Sequence, residues 1–233
     1  MTAQIIKVHS DSSSLLIAAV TDFLKLVESR DEGSKQMSVV LTGGSLGIGF
    51  LKELSKQGAD LSGVDFVFGD ERFVGLSDDD RNEHQGILAF PALSHLNLKR
   101  FPDPSLSLQD AKNAMNKALE AHYGRVDDSG DVFDLVLLGV GPDGHVASLF
   151  PGHNREGEWV IAEESSPKPP AERLSINYQG LNRGKHVWFM ASGVAKAGVV
   201  GQALSGKSSL PLAQVRGSEG TAWYLDKELS DEL

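Results

Sequence analysis

Hydrophobic positions along this chain follow two spacings, one typical of helices and one typical of buried strands. From residue 12 to residue 32 apolar side chains recur every three or four positions, which predicts a helix capped by Ser12 or Ser13 and ended at Gly33. Residues 133–140 are mostly apolar without a break, as expected of a strand covered on both faces. The same criteria predict helices at 45–58, 82–90, 106–123 and 194–204, and strands at 37–44, 64–73, 158–163, 186–193 and 221–226.

The predicted strands and helices alternate, and the central strands are apolar on both faces. This order is typical of an α/β fold in which a mostly parallel sheet carries helices on both faces. With 233 residues and 40% apolar composition, the chain can bury one sizeable core, as one large domain or as two closely fused lobes.

Small or polar residues follow four of the predicted strands: TGGS, GDER, GPDGH and SGVAK, in chain order. Ligands of such sheets bind at the carboxyl ends of the strands. We therefore expect these four segments to meet and to form the functional site.

The segment GVGPDGH, residues 139–145, places His145 after a glycine-rich turn. Such a turn costs conformational entropy, which favours backbone held close to a ligand over a purely structural histidine. The chain has no cysteine and no pair of histidines at ligand spacing, so we expect no metal site. His153, eight residues on, is interpreted as structural.

The segment TGGS allows three interpretations. A glycine turn at a helix N-terminus can bind a phosphate through backbone N–H groups, with Ser45 donating a further hydrogen bond. The same residues fit the pattern G-x-S-x-G, in which Ser45 would be a nucleophile. A plain strand-to-helix turn is the third interpretation.

Two basic residues are further candidates. Arg72, in GDER, can bind a phosphate or carboxylate, or it can form an internal ion pair with an aspartate that shapes the loop. Lys196 lies in the first turn of a predicted helix, where a cation opposes the helix dipole, and a bound anion would remove that conflict.

A second phosphate-binding pattern, GQALSGKS at residues 201–208, lacks the required context. A phosphate loop needs a preceding strand and a helix that begins at its lysine. Here the first half of the segment continues a helical pattern, so we do not expect it to bind a nucleotide.

Charge and composition exclude several classes of partner. The net charge of -10 argues against nucleic acid and against an anionic membrane, although a small anionic substrate is compatible if basic residues are concentrated locally. No apolar run approaches the roughly 20 residues that span a bilayer. The absence of cysteine suits a reducing compartment, and together these features predict a cytoplasmic protein.

Four segments together resemble the 6-phosphogluconolactonases. The resemblance is closest in FDLVLLGVGPDGHVASLFPGH, and it continues in LTGGS, in FGDERFV and in SPKPPAERLSINYQGLNRGKHVWFMASGVAKA. It implies a single domain over residues 1–233 with the modified Rossmann-like sheet of glucosamine-6-phosphate deaminases and ribose-5-phosphate isomerases. It also implies hydrolysis of 6-phospho-D-glucono-1,5-lactone to 6-phospho-D-gluconate in the oxidative pentose phosphate pathway, without metal or cofactor.

The resemblance also implies roles for individual residues. His145 and Asp143 would be catalytic, and Arg173 would close over the substrate from the loop 166–173. Binding of the substrate or its phosphate would fall to Gly43, Gly44, Ser45, Asp70, Arg72, Gly144, Arg173 and Lys196. The chain departs from the family at Arg81, where the motif usually has serine before the asparagine matched by Asn82.

Three alternative functions stay open at this point. A deaminase or isomerase of the same fold would carry a glutamate a few residues after the Asp-Gly-His turn, where this chain has Phe150. An esterase would use Ser45, and a non-catalytic sugar-phosphate sensor would need a DNA-binding helix-turn-helix. The sequence leaves the oligomeric state open.

The mechanism that we expect has three parts. His145 activates water to attack the lactone carbonyl and then passes a proton to the ring oxygen, for which a reference pKa of about 6.5 is suitable. Backbone N–H groups around Gly144 or in TGGS stabilise the oxyanion. Arg72 and Lys196 hold the phosphate.

Overall fold

The computed structural model describes residues 4–30, 36–152 and 157–233. Its strands are β1 (Gln4–His9), β2 (Met37–Leu41), β3 (Val64–Phe68), β4 (Asp70–Arg72), β5 (Asn97–Lys99), β6 (Phe133–Gly139), β7 (Val160–Glu163), β8 (Arg173–Ile176), β9 (Gly184–Ala191) and β10 (Gly220–Asp226). Its α-helices are α1 (Ser12–Glu28), α2 (Gly44–Ser55), α3 (Asn82–Ala89), α4 (Leu108–Tyr123), α5 (Tyr178–Leu181), α6 (Ala197–Leu204), α7 (Pro211–Gln214) and α8 (Lys227–Ser230). Short 3-10 helices cover Pro91–His95 and Val194–Lys196.

Seven strands form the main sheet, in the order β1-β10-β9-β6-β2-β3-β5, and all six pairings are parallel. Every residue of β2 and β3 is buried, which shows that both faces of the sheet are covered. The predicted α/β fold with a mostly parallel sheet is confirmed.

The strand order reverses between β2 and β6, which are neighbours in the sheet. The chain leaves β2 through α2 towards β3 on one side, whereas it leaves β6 towards β9 on the other. Such a reversal opens a crevice at the carboxyl ends of the two strands. The segments 42–45 and 140–145 enter this crevice.

The prediction of one strand over 64–73 is wrong, because the chain divides at Gly69 into β3 of the main sheet and β4 of a second sheet. The second sheet is antiparallel, in the order β4-β8-β7. The Gly69 N–H donates to Leu41 O at 2.7 Å, and the Gly69 carbonyl accepts from Ile176 N at 2.8 Å. One residue thus hydrogen-bonds to a strand of each sheet.

Several other boundaries differ from the prediction. Strand β1 was not predicted; it is a half-exposed edge strand that pairs with β10 from the far end of the chain. Strand β8 lies where the end of a loop was expected, and α1 ends at Glu28, while Gly33 lies outside the described residues. Helix α6 occupies the first half of GQALSGKS and no helix begins at Lys207, as expected for a segment that does not bind nucleotide.

Helix α2 begins unusually close to the strand before it. A Cβ atom added at Gly47 would lie 2.0 Å from the Thr42 carbonyl oxygen, so only glycine permits this approach. The contact places the first turn of α2 directly over the carboxyl end of β2.

We therefore expect Gly47→Ala to destabilise the protein by about 1–3 kcal/mol, although alanine is the better helix former, because the added methyl meets backbone that cannot move aside. Gly198→Ala in α6 is the matched control, since its added Cβ has no atom within 4 Å, and it should stabilise by up to about 1 kcal/mol. Urea unfolding measures both, and equal effects would contradict the proposed close approach.

Candidate active site

The segment after β6 forms a closed turn under His145. Gly141 N donates to His145 O at 3.0 Å and Gly144 N donates to Gly141 O at 3.0 Å. Gly144 has a φ of 83°, which favours glycine, and a Cβ atom at Gly141 would lie 2.1 Å from the His145 ring. The turn thus brings the imidazole against the backbone at Gly141. Because the Gly144 N–H is engaged inside the turn, it is not free to donate to an oxyanion, which favours the TGGS turn, the other source of donors expected from the sequence.

The imidazole of His145 is held by two neighbours. Its Nδ1 hydrogen-bonds to Asp143 Oδ1, and its ring centroid lies 4.8 Å from that of Phe150. The side chain of His145 is 16% exposed. With Asp143 accepting from Nδ1–H, the lone pair of Nε2 is available as a base.

Burial and charge shift the pKa values of this pair. Burial lowers the pKa of His145, and its effect outweighs that of Asp143, which raises it. Burial also disfavours charge on Asp143, but the imidazole and its hydrogen bonds bring the pKa of Asp143 below its ordinary value. Near neutral pH the pair is therefore a neutral imidazole beside a carboxylate.

The TGGS segment supplies free backbone donors. Gly43 is the N-cap of α2 without a side-chain capping bond, and Gly44 has a φ of 71°. The first N–H groups of a helix have no intrahelical partner. In α2 these are the N–H groups of Gly44, Ser45 and Leu46, and all three residues line the crevice. The ring hydrogen bond of His145 is to Asp143 and not to Ser45. This turn is thus better suited to bind an anion than to present a nucleophile.

The second sheet contributes charged side chains from two paired strands. Arg72 of β4 lies opposite Arg173 of β8, and Asp70 lies two residues before Arg72. Asp70 Oδ2 accepts from Ser148 Oγ at 2.6 Å and lies 4.0 Å from Arg173 Nη1. The Arg72 guanidinium donates to the Asp80 carbonyl, so its hydrogen-bond partner is backbone and not an aspartate carboxylate.

Arg173, which the resemblance places over the substrate at the end of the loop 166–173, lies in a strand of the second sheet. It is the first residue of β8, and it is 6% exposed. Its guanidinium donates to the carbonyls of Lys168, Pro169 and Pro170 at 3.0–3.3 Å. Arg173 therefore lines the crevice while it fixes the proline-rich loop.

Two lysines complete the crevice. Burial lowers the pKa of Lys196, and Lys168 lowers it further. Lys168 also lowers the pKa of His145, so its ammonium group acts on both residues. Sequence reasoning singled out Lys196 but missed Lys168, because an exposed lysine in SPKPP carries no spacing signal, and only the hold of Arg173 on this loop turns it towards the crevice.

Eight of the ten site residues expected from the sequence line one cavity of about 280 Å³. The other two lie in the turn that carries His145: Asp143 hydrogen-bonds to the imidazole, and the Gly144 N–H closes the turn. The described lining contains four basic side chains and one carboxylate, in a chain whose net charge is -10. Basic residues are therefore concentrated locally. The lining consists of Thr42, Gly43, Gly44, Ser45, Leu46, Asp70, Arg72, Asn82, Gly139, Val140, Gly141, Pro142, His145, Ala147, Lys168, Pro169, Arg173, Met190 and Lys196.

Neither a metal cluster nor a membrane span occurs in the described part of the chain. Over residues 4–30, 36–152 and 157–233, no group of three or more histidine, aspartate or glutamate side chains could hold a metal ion. None of the helices within the same ranges is long and apolar enough to cross a bilayer. His153 lies outside the described residues.

A family model described as glucosamine-6-phosphate isomerases/6-phosphogluconolactonase matches residues 10–223. The chain belongs to this family. A 6-phosphogluconolactonase of Mycobacterium leprae is 35% identical over 98% of this chain and 98% of its own length. One of Streptomyces coelicolor is 35% identical over 97% of this chain and 93% of its own. The family resemblance drawn from the sequence is confirmed.

Solved structures of this family share the fold. The crystal structure of 6-phosphogluconolactonase from Thermotoga maritima, at 26% identity, covers 97% of this chain and 100% of that chain with a TM-score of 0.85. A monomeric glucosamine-6-phosphate deaminase, at 18% identity, covers 98% of this chain and 100% of that chain with a TM-score of 0.78. The fold alone therefore does not distinguish hydrolysis from deamination, and the side chains of the crevice must.

The arrangement of His145 predicts its titration. We expect an imidazole pKa below 6.5, followed by the ring signals in NMR spectra between pH 4 and pH 8. As the pH falls below 6.5, the imidazole of His145 takes up a proton in the unfolded chain before it does so in the folded protein. The free energy of unfolding therefore decreases over this range. Asp143→Asn should lower the imidazole pKa further, and an unchanged or raised value would show that the carboxylate does not act on His145.

Proposed function

We propose that this protein hydrolyses 6-phospho-D-glucono-1,5-lactone to 6-phospho-D-gluconate, a step of the oxidative pentose phosphate pathway. The observation that carries the proposal is a neutral imidazole with a free Nε2 in a cavity lined by four basic side chains. A base beside an anion-binding surface is what hydrolysis of a phosphorylated lactone requires. The names of the relatives that match nearly the whole chain support the same reaction.

The first step is attack of water on the lactone carbonyl. His145 Nε2 takes a proton from the water while the oxygen of that water bonds to the carbonyl carbon, and the carbonyl oxygen becomes an oxyanion. Asp143 holds the ring through Nδ1 and stabilises the imidazolium that forms. The free N–H groups at the start of α2 stabilise the oxyanion, now that the Gly144 N–H is assigned to the turn.

The second step is opening of the ring. The oxyanion reforms the carbonyl, the bond between the carbonyl carbon and the ring oxygen breaks, and the imidazolium returns its proton to that oxygen. The products are a carboxylic acid and a hydroxyl group, and His145 is again neutral. The cycle consumes one water molecule and needs no oxidant, reductant or cofactor, so metal-independent hydrolysis stays our prediction.

The basic residues hold the phosphate of the substrate in this proposal. Arg72 presents planar donors that suit phosphate oxygens, and the ammonium groups of Lys168 and Lys196 add charge from the opposite loops. Partial burial strengthens these interactions relative to water. Fixing the phosphate orients the ring for attack and discriminates against lactones without a phosphate.

The alternatives are less well supported. Phe150 occupies the position where a deaminase would carry its acid; it is 3% exposed and packs against His145. Ser45 lacks the hydrogen bond to the imidazole that a serine nucleophile would need.

The single domain over residues 1–233 and the cytoplasmic location remain proposals. One hydrophobic cluster that includes strands of both sheets supports the single domain.

Removal of the imidazole should separate catalysis from binding. We expect His145→Ala to lower kcat about 10²–10⁴-fold, measured against the spontaneous hydrolysis of freshly made lactone, with the affinity for 6-phosphogluconate little changed. Release of ammonia from glucosamine 6-phosphate by the wild type would instead assign the site to deamination.

Removal of the guanidinium should act mainly on binding. We expect Arg72→Ala to weaken the affinity for 6-phosphogluconate about 10–100-fold, the equivalent of one charge-assisted hydrogen bond, with a smaller change in kcat. Hydrolysis of unphosphorylated glucono-1,5-lactone is the control and should change little. Equal losses for both lactones would argue against a phosphate contact.

Replacement of the serine distinguishes the two interpretations of TGGS. If Ser45 only donates a hydrogen bond to the phosphate, its loss should lower kcat/KM about tenfold. If Ser45 were the nucleophile, its loss would abolish turnover. We expect the modest loss from Ser45→Ala, measured with the phosphorylated lactone.

A further inference from the structure

A chain of buried charged side chains runs behind the wall of the cavity that carries Arg72. Arg81 is fully buried, at 0% exposure, and it lies between Glu71 and Glu83, which are 2% and 4% exposed. Arg100, nearer the surface, pairs with Glu83 at 2.8 Å. Burying three ionisable side chains is costly unless each is paired, so this arrangement requires an explanation beyond packing.

The carboxylate of Glu71 ties together the two segments that bring polar side chains to this wall. Its Oε1 accepts from Arg72 N at 2.8 Å and from Asn82 N at 2.7 Å. Its Oε2 accepts from Glu83 N at 2.9 Å. Arg72 and Asn82 both line the cavity, so one carboxylate sets the spacing of their backbones.

Arg81 holds this arrangement from the other side. Its guanidinium donates to Val74 O at 3.0 Å, to Phe101 O at 2.5 Å and to Glu83 Oε2 at 3.3 Å. Its Nε lies 4.0 Å from Glu71 Oε2. Without Arg81, two carboxylates would share a buried region beside Arg100, and the loop 74–81 would lose the hydrogen bond from Arg81 to Val74.

The residues on either side of Arg81 contact the cavity wall directly. The carbonyl of Asp80 accepts from the Arg72 guanidinium. The Asn82 side chain donates to Asp70 O at 2.9 Å, and its Oδ1 lies against Gly43, where an added Cβ atom would be 2.0 Å away. A shift of the backbone at Arg81 would therefore change the orientation of Arg72 and the position of Asn82.

We propose that Arg81 is a positioning residue for substrate binding: through Glu71 and the Asp80 carbonyl it sets the placement of Arg72 and Asn82 around the phosphate. It touches no substrate itself. The inference rests on the proposed function for the identity of the ligand, and it assigns Arg81 to affinity and not to the proton transfers of His145.

Arg81→Gln and Arg81→Lys test this assignment. The first removes the charge, and the second keeps a charge beside the two glutamates but cannot reach all the carbonyls. We expect both to weaken the affinity for 6-phosphogluconate and to raise KM about tenfold or more, with kcat within about threefold of wild type. Arg125→Gln is the control, because Arg125 is an exposed arginine that pairs with Asp127 away from the cavity and should change neither value.

A double-mutant comparison separates positioning from general stability. If Arg81 acts through Arg72, adding Arg81→Lys to Arg72→Ala should weaken affinity by much less than it does in the wild type. Additive losses, or a fall in kcat with unchanged affinity in a variant that still unfolds cooperatively, would overturn the proposal.

Failure of the proposed function gives a different pattern. A wild type that binds 6-phosphogluconate without hydrolysing the lactone would disprove the reaction, while the affinities of the Arg81 variants would still decide the positioning role. A wild type that neither binds 6-phosphogluconate nor hydrolyses the lactone would disprove both the reaction and the positioning role of Arg81.

Discussion

Two backbone hydrogen bonds at Gly69 hold the site together. Its N–H pairs with the end of β2 in the main sheet, and its carbonyl pairs with the end of β8 in the second sheet. The bonds join a parallel sheet that carries the turn with His145 to an antiparallel sheet that carries Arg72 and Arg173. Arg72 and Arg173 belong to the second sheet, whereas His145 and Lys196 follow strands of the main sheet, so the junction sets how the two arginines face the imidazole.

The junction creates an electrostatic contrast. The protein is strongly acidic as a whole, yet the described lining of the cavity has four basic side chains and one carboxylate. Excess positive charge in a partly buried crevice favours the approach of an anion. Burial is the main cause of the lowered pKa of His145, and the charge of Lys168 adds to it.

Fold and chemistry separate in this family. A glucosamine-6-phosphate deaminase superposes over nearly the whole chain, so the sheet and its crevice do not decide the reaction. The contents of the crevice support hydrolysis: Phe150 packs against His145 where an acid would serve a proton relay, and the TGGS turn offers donors to an anion. Small differences in side chains thus select among reactions on one scaffold.

The sequence by itself determined the alternation of strands and helices, the strand ends that meet, and the motifs that contain His145, Ser45 and Lys196, because these depend on local spacing and composition. Only the tertiary structure decided that the predicted strand 64–73 divides at Gly69 between two sheets, that the Gly144 N–H is occupied, and that Lys168 lines the crevice. Edge strand β1 likewise depends on pairing with β10 from the other end of the chain. Such features depend on contacts between distant segments, which no local pattern encodes.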